Sequence, residues 1–285
     1  MPATPSAHLQ ATATRFEAEI SKLLLHDSVL PGAAPGLLGP LAEAARNEQL
    51  SAQELATQIS RDPSAAARLI RFANSPLYAG TAPVRTLQAA ITRMGLTSIR
   101  RLLLCLSLHG APKPRLAALR ERLAQHWRSS IEVAALSQVY AEHHSALDPD
   151  EAFLAGLIHQ IGTLPILYLA DARPELVGSV EMVDQLIDLL QARVGGQILA
   201  SWRFPPNLAA VPGRVFDPPQ QAETSQIEIA DVVTVAAGLV RERLYNDTSV
   251  RQSAAWRKLQ LDRPDGLELG VDIGAQLREA ELLFA

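Results

Sequence analysis

Asp62-Pro63-Ser-Ala-Ala-Ala-Arg-Leu-Ile-Arg-Phe-Ala-Asn-Ser75 decides the fold class. An aspartate followed by proline reads as a helix N-cap with proline at the first helical position, where its missing N–H costs nothing. Ala66, Leu69, Ile70 and Ala73 then recur at helical spacing on one face. Asn74-Ser75-Pro76 closes the segment, because asparagine tolerates a left-handed cap and Ser-Pro favours leaving a helix.

The same grammar continues outward in both directions. Upstream, Ser51-Ala-Gln-Glu54 has the spacing of a capping box, with Leu55 and Ile59 following at helical period. Downstream, Thr86 caps a helix carrying Leu87, Ala90, Ile91 and Met94, which Gly95 stops. Thr97 opens another that runs through Leu102, Leu103 and Leu106 to about Gly110. Ala111-Pro-Lys-Pro114 is the clearest internal break, since neither proline fits a helix interior. Helical patterns resume over residues 116–144, 150–169 and 180–202, the last expected to kink or break at Gly195-Gly196. Pro205-Pro206, Pro212-Gly213 and Pro218-Pro219 punctuate an irregular stretch before a final long helix over residues 225–245. Period-two alternation between hairpin turns is absent. The reading is all-α, in two lobes over residues 15–112 and 113–246, with a frayed N-terminus over 1–14. Residues 247–285 form a C-terminal extension that packs on the domain or trails it.

Charge divides the chain more sharply than its net −4 indicates. Residues 61–128 hold 12 Arg and Lys against 2 acids, a net of +10, whereas residues 129–285 hold 11 basic and 22 acidic groups, a net of −11. The single cysteine, Cys105, excludes an intrachain disulfide and suits a reducing compartment. Its neighbours Leu102-Leu103-Leu104 and Leu106 make it an apolar filler. Residues 1–14 lack the basic region and apolar stretch of a secretory signal. No apolar run is read as approaching the roughly 18 residues of a membrane span. A cytoplasmic protein without a membrane partner is expected.

Several stretches together carry a resemblance. Ile59-Ser-Arg-Asp-Pro63 leads into Ala67-Arg-Leu-Ile-Arg-Phe-Ala-Asn-Ser75, then come Tyr78, Gly80, Leu87-Gln-Ala-Ala-Ile91 and Met94-Gly95-Leu96. Residues Trp127 to Ala134, Glu151-Ala-Phe-Leu-Ala-Gly-Leu-Ile-His-Gln-Ile-Gly162 and Trp202 to Pro205 complete the order. In sequence and spacing these motifs resemble the HDOD family, bacterial signalling domains related to the HD metal-dependent phosphohydrolases. The resemblance covers residues 22 to 245 and implies an N-terminal helical lobe packed on a C-terminal HD-like helical lobe.

The HD hydrolases hold their metal with a first His, an adjacent His-Asp pair and a distant Asp. Imidazoles suit first-row divalent ions, while carboxylates neutralise the cation and help activate its water. Aligned on these motifs, Ser129 falls where the first His is expected, Gln160 replaces the Asp of the pair, and Gln191 stands where many relatives carry another His. Pro212-Gly-Arg-Val-Phe216 lacks the expected His-His. His159 matches the His of the pair and Asp231 the distal Asp, and His126, one turn before Ser129, is the one candidate substitute. Read without the resemblance, His159 is a hydrogen-bonded core histidine and Asp231 a hydrogen-bond partner. With so many ligand positions changed, neither catalysis nor a cofactor is expected.

The resemblance implies a non-catalytic regulatory adaptor in bacterial signal transduction. A basic face of Arg61, Arg68, Arg71, Arg85, Arg93, Arg100 and Arg101 is expected to dock an acidic protein partner or a nucleotide. Two alternatives stay open. One is residual metal-dependent phosphohydrolase activity through His159, Asp231 and His126. The other is DNA binding, by reading residues 51–74 as a helix-turn-helix whose second helix bears Arg68 and Arg71. Nucleic acid is the weaker expectation, because a bundle explains the same helix pair. His143-His144 reads as an exposed helix end, and Asp148 and Asp150 as the cap of the next helix.

Overall fold

Caps written into the sequence begin the helices. The computed structural model describes residues 7–25, 39–74, 78, 82–217, 225–261, 277, 278 and 281. Ser75, Pro76, Gly80, the Pro218-Pro219 pair and most of the extension beyond Leu261 lie outside the described residues. Helix α1 spans Ala7–Leu25, and the first lobe comprises α2 (Gly39–Arg46), α3 (Ala52–Ile59), α4 (Pro63–Ala73), α5 (Leu87–Met94) and α6 (Leu96–His109). Ser51 and Glu54 form the reciprocal capping box of α3, with Ser51 N–H donating to Glu54 Oε2 at 2.8 Å. Asp62 accepts from the N–H groups of Ser64 and Ala65, both at 3.0 Å, at the start of α4. Thr86 caps α5, and Gly95, at φ +82°, turns the chain directly into α6.

Asn74 ends α4 by another route than the left-handed cap its sequence suggests. Its φ is −101°, and its amide donates to the carbonyls of Ile70 and Val84 while its Oδ1 accepts from Val84 N–H at 2.6 Å. One side chain thus closes the helix and clasps the segment leading to α5.

The second lobe is built on α7 (Ala117–Glu142), which packs against α8 (Pro149–Ile158), α9 (Thr163–Ala172) and α14 (Ile229–Tyr245). The short α10 (Pro174–Val177) leads to α11 (Val180–Ser201), and α12 (Pro206–Ala209) and α13 (Val211–Phe216) lead to α14. A 3-10 turn over Ser249–Gln252 and α15 (Ala254–Lys258) return along α14. No strand occurs among the described residues, so the all-α reading holds. The lobes share one apolar core, joined where Phe72 of α4 meets Phe153 of α8 with ring centroids 5.3 Å apart. Cys105 is buried in that core, and burial pushes its thiol up to about 12.

Five expectations are corrected. The frayed segment over 1–14 gives way to helix from Ala7, because Leu9, Ala13, Phe16 and Ile20 form an apolar stripe that buries against α9 and α11. It follows that residues 15–25 pack on the second lobe, not the first. Pro149–Ala172 is long and apolar enough by composition to cross a membrane, contrary to the expectation that no such run exists; it is core, with 89% of its apolar 18-residue window buried. That run is also not one helix, since residues 159–162 form a turn between α8 and α9. Finally, α11 passes through Gly195-Gly196 without a break. A Cβ on Gly162 would sit 2.1 Å from Gln191 O and 2.6 Å from Gly195 N, so the 159–162 turn and α11 touch backbone to backbone. Gly195 serves close packing against that turn and Pro212, and the helical hydrogen bonds carry on through it.

Candidate functional site

The 159–162 turn, α7, α11, α13 and the last turns of α14 enclose a cavity of about 600 Å³. His126, Ser129, His159, Gln160 and Gln191 all line it, so the fold does gather five of the positions that the motif alignment singles out. It does not gather the sixth, since Asp231 is not among the lining residues.

Four of the five have a local explanation. His159 follows the last turn of α8 and is 2% exposed; its Nδ1 donates to Gly156 O at 2.6 Å, which leaves Nε2 as the bare lone pair. Burial, reinforced by Arg241, holds this imidazole down to about 4. His126, on α7, is held down to about 3 by burial and by His159, and its Nδ1 is buried with no hydrogen-bond partner. Gln160 turns its amide away from metal chemistry: Nε2 donates to His126 O at 2.9 Å and to Ser130 Oγ at 3.0 Å. Gln191 Oε1 accepts from Thr163 Oγ1 at 3.0 Å. In place of ligands, these amides tie helices together.

Asp231 explains its own absence from the cavity. It lies at the start of α14, 3% exposed, and accepts from Glu228 N–H at 2.9 Å. Lys258 Nζ of α15 reaches its Oδ2 at 2.9 Å and Arg214 reaches its Oδ1 at 3.4 Å. The Lys258 side chain is 6% exposed, so this is a buried ion pair. The carboxylate that the resemblance places in a metal centre is neutralised by protein cations instead.

Charged side chains that sequence reading did not single out complete the cavity. Arg122 makes a bidentate pair with Asp184, both contacts at 2.8 Å. Gln125 donates to the Tyr245 hydroxyl at the rim. Arg241 lies with its guanidinium carbon 5.8 Å from the Phe216 ring centroid, and Phe216 stacks on His159 at 5.9 Å and 19°. The spacing of Ala237, Val240, Arg241, Leu244 and Tyr245 is one helix face, the signal that could have identified them.

A metal does not fit these residues. Two neutral imidazoles, two amides and a hydroxyl make a poor divalent site: of the nearby carboxylates Asp184 is engaged by Arg122 and Asp231 by Lys258, which leaves Asp188 alone at the exposed rim. No cluster of three His, Cys, Asp or Glu able to hold an ion occurs among the described residues.

The basic face is less available than its sequence suggests. Arg100 lies against the end of α2, donating to the carbonyls of Ala44, Ala45, Asn47 and Leu50. Arg93 caps α4 through Ala73 O at 3.1 Å and also reaches Ala82 O. Arg101 lies 5.3 Å from the Phe204 ring centroid. Arg68 is half-buried and its Nε is enclosed without a partner. Only Arg61, Arg71 and Arg85 of the seven stand exposed. The helix pair α3–α4 exists as expected, with Arg68 partly withdrawn from the face that DNA would need. A larger groove of about 930 Å³ runs between α2, α6 and residues 201–204. Arg100 and Arg101 line it but are held as above, and Arg203 pairs with Glu48 at 3.3 Å.

The HDOD domain pattern matches residues 32–213, well over half of the chain. The chain belongs to the HDOD family. Its fold is similar to that of a protein from Shewanella amazonensis provisionally named a metal-dependent phosphohydrolase, at 26% identity and a TM-score of 0.70, covering 96% of this chain and 100% of that one. An HDOD domain protein of unknown function from Geobacter sulfurreducens is 18% identical, with a TM-score of 0.56 and 96% of each chain covered. A protein from Marinobacter aquaeolei provisionally named for signal transduction is 17% identical, with a TM-score of 0.54, covering 97% of this chain and 65% of that one. The last two likenesses concern the fold alone. No curated protein matches the chain.

Proposed function

We propose that this HDOD protein is a non-catalytic, cytoplasmic regulatory module of bacterial signalling that acts by binding a protein partner or a small ligand. The observation that carries the reading is the buried Asp231–Lys258 pair. An HD-type phosphohydrolase needs its distal carboxylate to neutralise a metal, and here that charge is spent on a lysine from the C-terminal segment. Gln160 and Gln191 support the reading, because both amides serve as cross-braces between helices. For a protein partner, the exposed arginines Arg61, Arg71 and Arg85 provide the attraction, which acts mainly on encounter rate and is screened by salt.

Two measurements test this. Protein purified without chelators should carry no stoichiometric Mn, Fe, Zn or Mg and turn over no phosphodiester; a stoichiometric metal with turnover overturns the non-catalytic reading. For a partner recovered by pull-down, affinity should fall at high ionic strength and on charge reversal of Arg61 and Arg71. Affinity indifferent to both removes the basic face from the mechanism.

A second reading is favoured by the name of the Shewanella protein, whose fold is matched over the whole of its length. It is residual metal-dependent phosphohydrolase activity through His126, His159 and Asp231. The same metal analysis decides it, with Lys258→Ala as the variant that would release Asp231 and raise any such activity.

A further inference from the structure

The cavity behind His159 is polar in an incomplete way. Its internal pairings account for Arg122 with Asp184, Gln160 with His126 O and Ser130, and Thr163 with Gln191. Three groups are left over. His126 Nδ1 and Arg241 Nε are both buried without a hydrogen bond. His159 has its Nδ1 committed to Gly156, so its Nε2 is a lone pair on a ring that lines the cavity. Besides its place over Phe216, Arg241 has a long ionic contact, 3.9 Å from its Nε to Asp247. His126 Nδ1 and Arg241 Nε have no surface open to the cavity, so a molecule within it would meet the terminal nitrogens of Arg241 and the Nε2 of His159.

These two groups specify what would bind to them. A guanidinium short of an acceptor recognises a carboxylate or phosphate, which it can bind with two parallel hydrogen bonds. A bare imidazole nitrogen accepts an N–H or O–H. Both histidines stay neutral at physiological pH, since burial holds them near 3 and 4, so neither competes with Arg241 for the anion. Ile187, Phe216, Val240 and Leu244 give the cavity apolar walls for the body of such a molecule. Asp184 is neutralised by Arg122, and Asp188 sits at the exposed rim. A volume of about 600 Å³ lies within the usual range of small-molecule sites.

We propose that this cavity is a metal-free effector site for a small organic anion bearing an N–H or O–H donor, with its acid group on the terminal nitrogens of Arg241 and its donor on His159 Nε2. The proposal rests on the ligand-responsive form of the regulatory reading above. It names what the former ligand positions of the HD-like lobe do now that they hold no metal-binding set.

Calorimetric titration of the full chain in EDTA tests it, with four probes that separate the requirements. Orotate offers a carboxylate and ring N–H donors; uridine monophosphate offers a phosphate with a ring N–H donor. Uracil has donors without the anion, and benzoate has the anion without donors. Orotate or uridine monophosphate should bind at least about tenfold tighter than uracil and benzoate, and whichever is tighter identifies the acid. Arg241→Gln should weaken that probe about tenfold or more, the loss of one charge-assisted contact. Ile187→Trp, which fills the cavity from its half-buried wall, should abolish binding while circular dichroism stays native. No binding of either acid-bearing probe, binding only after metal is added, or equal affinity in Arg241→Gln overturns the site. If neither acid-bearing probe binds and no phosphate is released from uridine monophosphate, the site falls and the non-catalytic reading stands. Release of phosphate with binding intact would instead remove the non-catalytic reading and leave the site.

Discussion

The two ends of α14 handle buried charge in opposite ways. At its start, Asp231 is enclosed and fully matched, with Lys258 and Arg214 on its oxygens and the Glu228 N–H closing the helix. Near its end, Arg241 is half-buried over Phe216, its Nε lacks a hydrogen bond, and the neighbouring His126 and His159 are neutral. The resemblance to HD hydrolases directs attention to the first end, where the carboxylate is. The structure places the unfinished chemistry at the second. A matched buried pair is costly to break from one side, whereas a buried polar group without a partner needs an explanation, of which a bound molecule is one.

The largest effect expected from breaking this contrast is at Lys258. Lys258→Met leaves Asp231 with Arg214 alone and should cost about 3 kcal/mol in urea unfolding, in the range for removing one partner of a buried pair. Asp231→Leu combined with Lys258→Met should recover most of that loss. If the single variant is as stable as the parent, Asp231 is not structurally committed and the contrast collapses.

The cavity end responds to acid instead. His126 and His159 are neutral in the folded chain down to about 3 and 4, but in the unfolded chain they titrate near the ordinary 6.5. The unfolded chain therefore takes up protons first as pH falls. Stability from these two rings is complete above about 6.5 and is lost progressively as pH falls toward about 4 for His159 and about 3 for His126. Urea melts at a series of pH values should show this slope, and His126→Asn with His159→Asn should flatten that part of it.

A smaller effect is expected where the C-terminal segment meets α14. A Cβ at Gly238 would sit 2.3 Å from Val250 Cβ, so Gly238→Ala should destabilise by about 2 kcal/mol through overpacking. Val250→Ala in the same chain should restore part of it. Smallest is the contrast within the basic face. Arg100→Ala removes bonds to the end of α2 and should cost about 1 kcal/mol, while exposed Arg71→Ala should stay within about 0.5 kcal/mol.

Local chemistry made much of this legible beforehand. Ser51, Asp62, Thr86 and Asp148 cap the helices that their sequence neighbours announce, because a cap is settled within four residues. The Ala111–Pro114 break follows from proline chemistry as well, and the gathering of His159, Gln160, Ser129 and Gln191 about one cavity accords with the motif alignment that the resemblance supplied. What escaped depends on distant partners. Between Ile158 and Thr163 the run stays apolar on both sides of the turn, so nothing in its period marks the end of α8. Gly195-Gly196 looks like a break until the turn pressed against it is known. Residues 7–14 carry the stripe of α1, but only the presence of α9 and α11 makes that stripe worth burying. Lys258 lies 27 residues beyond Asp231 and outside the span of the resemblance, so no motif could pair them.

The backbone contact between Gly162 and α11 has one further consequence. Because no side chain separates the 159–162 turn from Gln191 and Gly195, the gauge of the adjoining cavity is fixed by main-chain atoms. Substitutions at its lining positions repaint the walls of a mould whose dimensions do not move. A scaffold of that kind can exchange one binding chemistry for another by drift at the surface of the hollow, while the two glycines hold its shape constant.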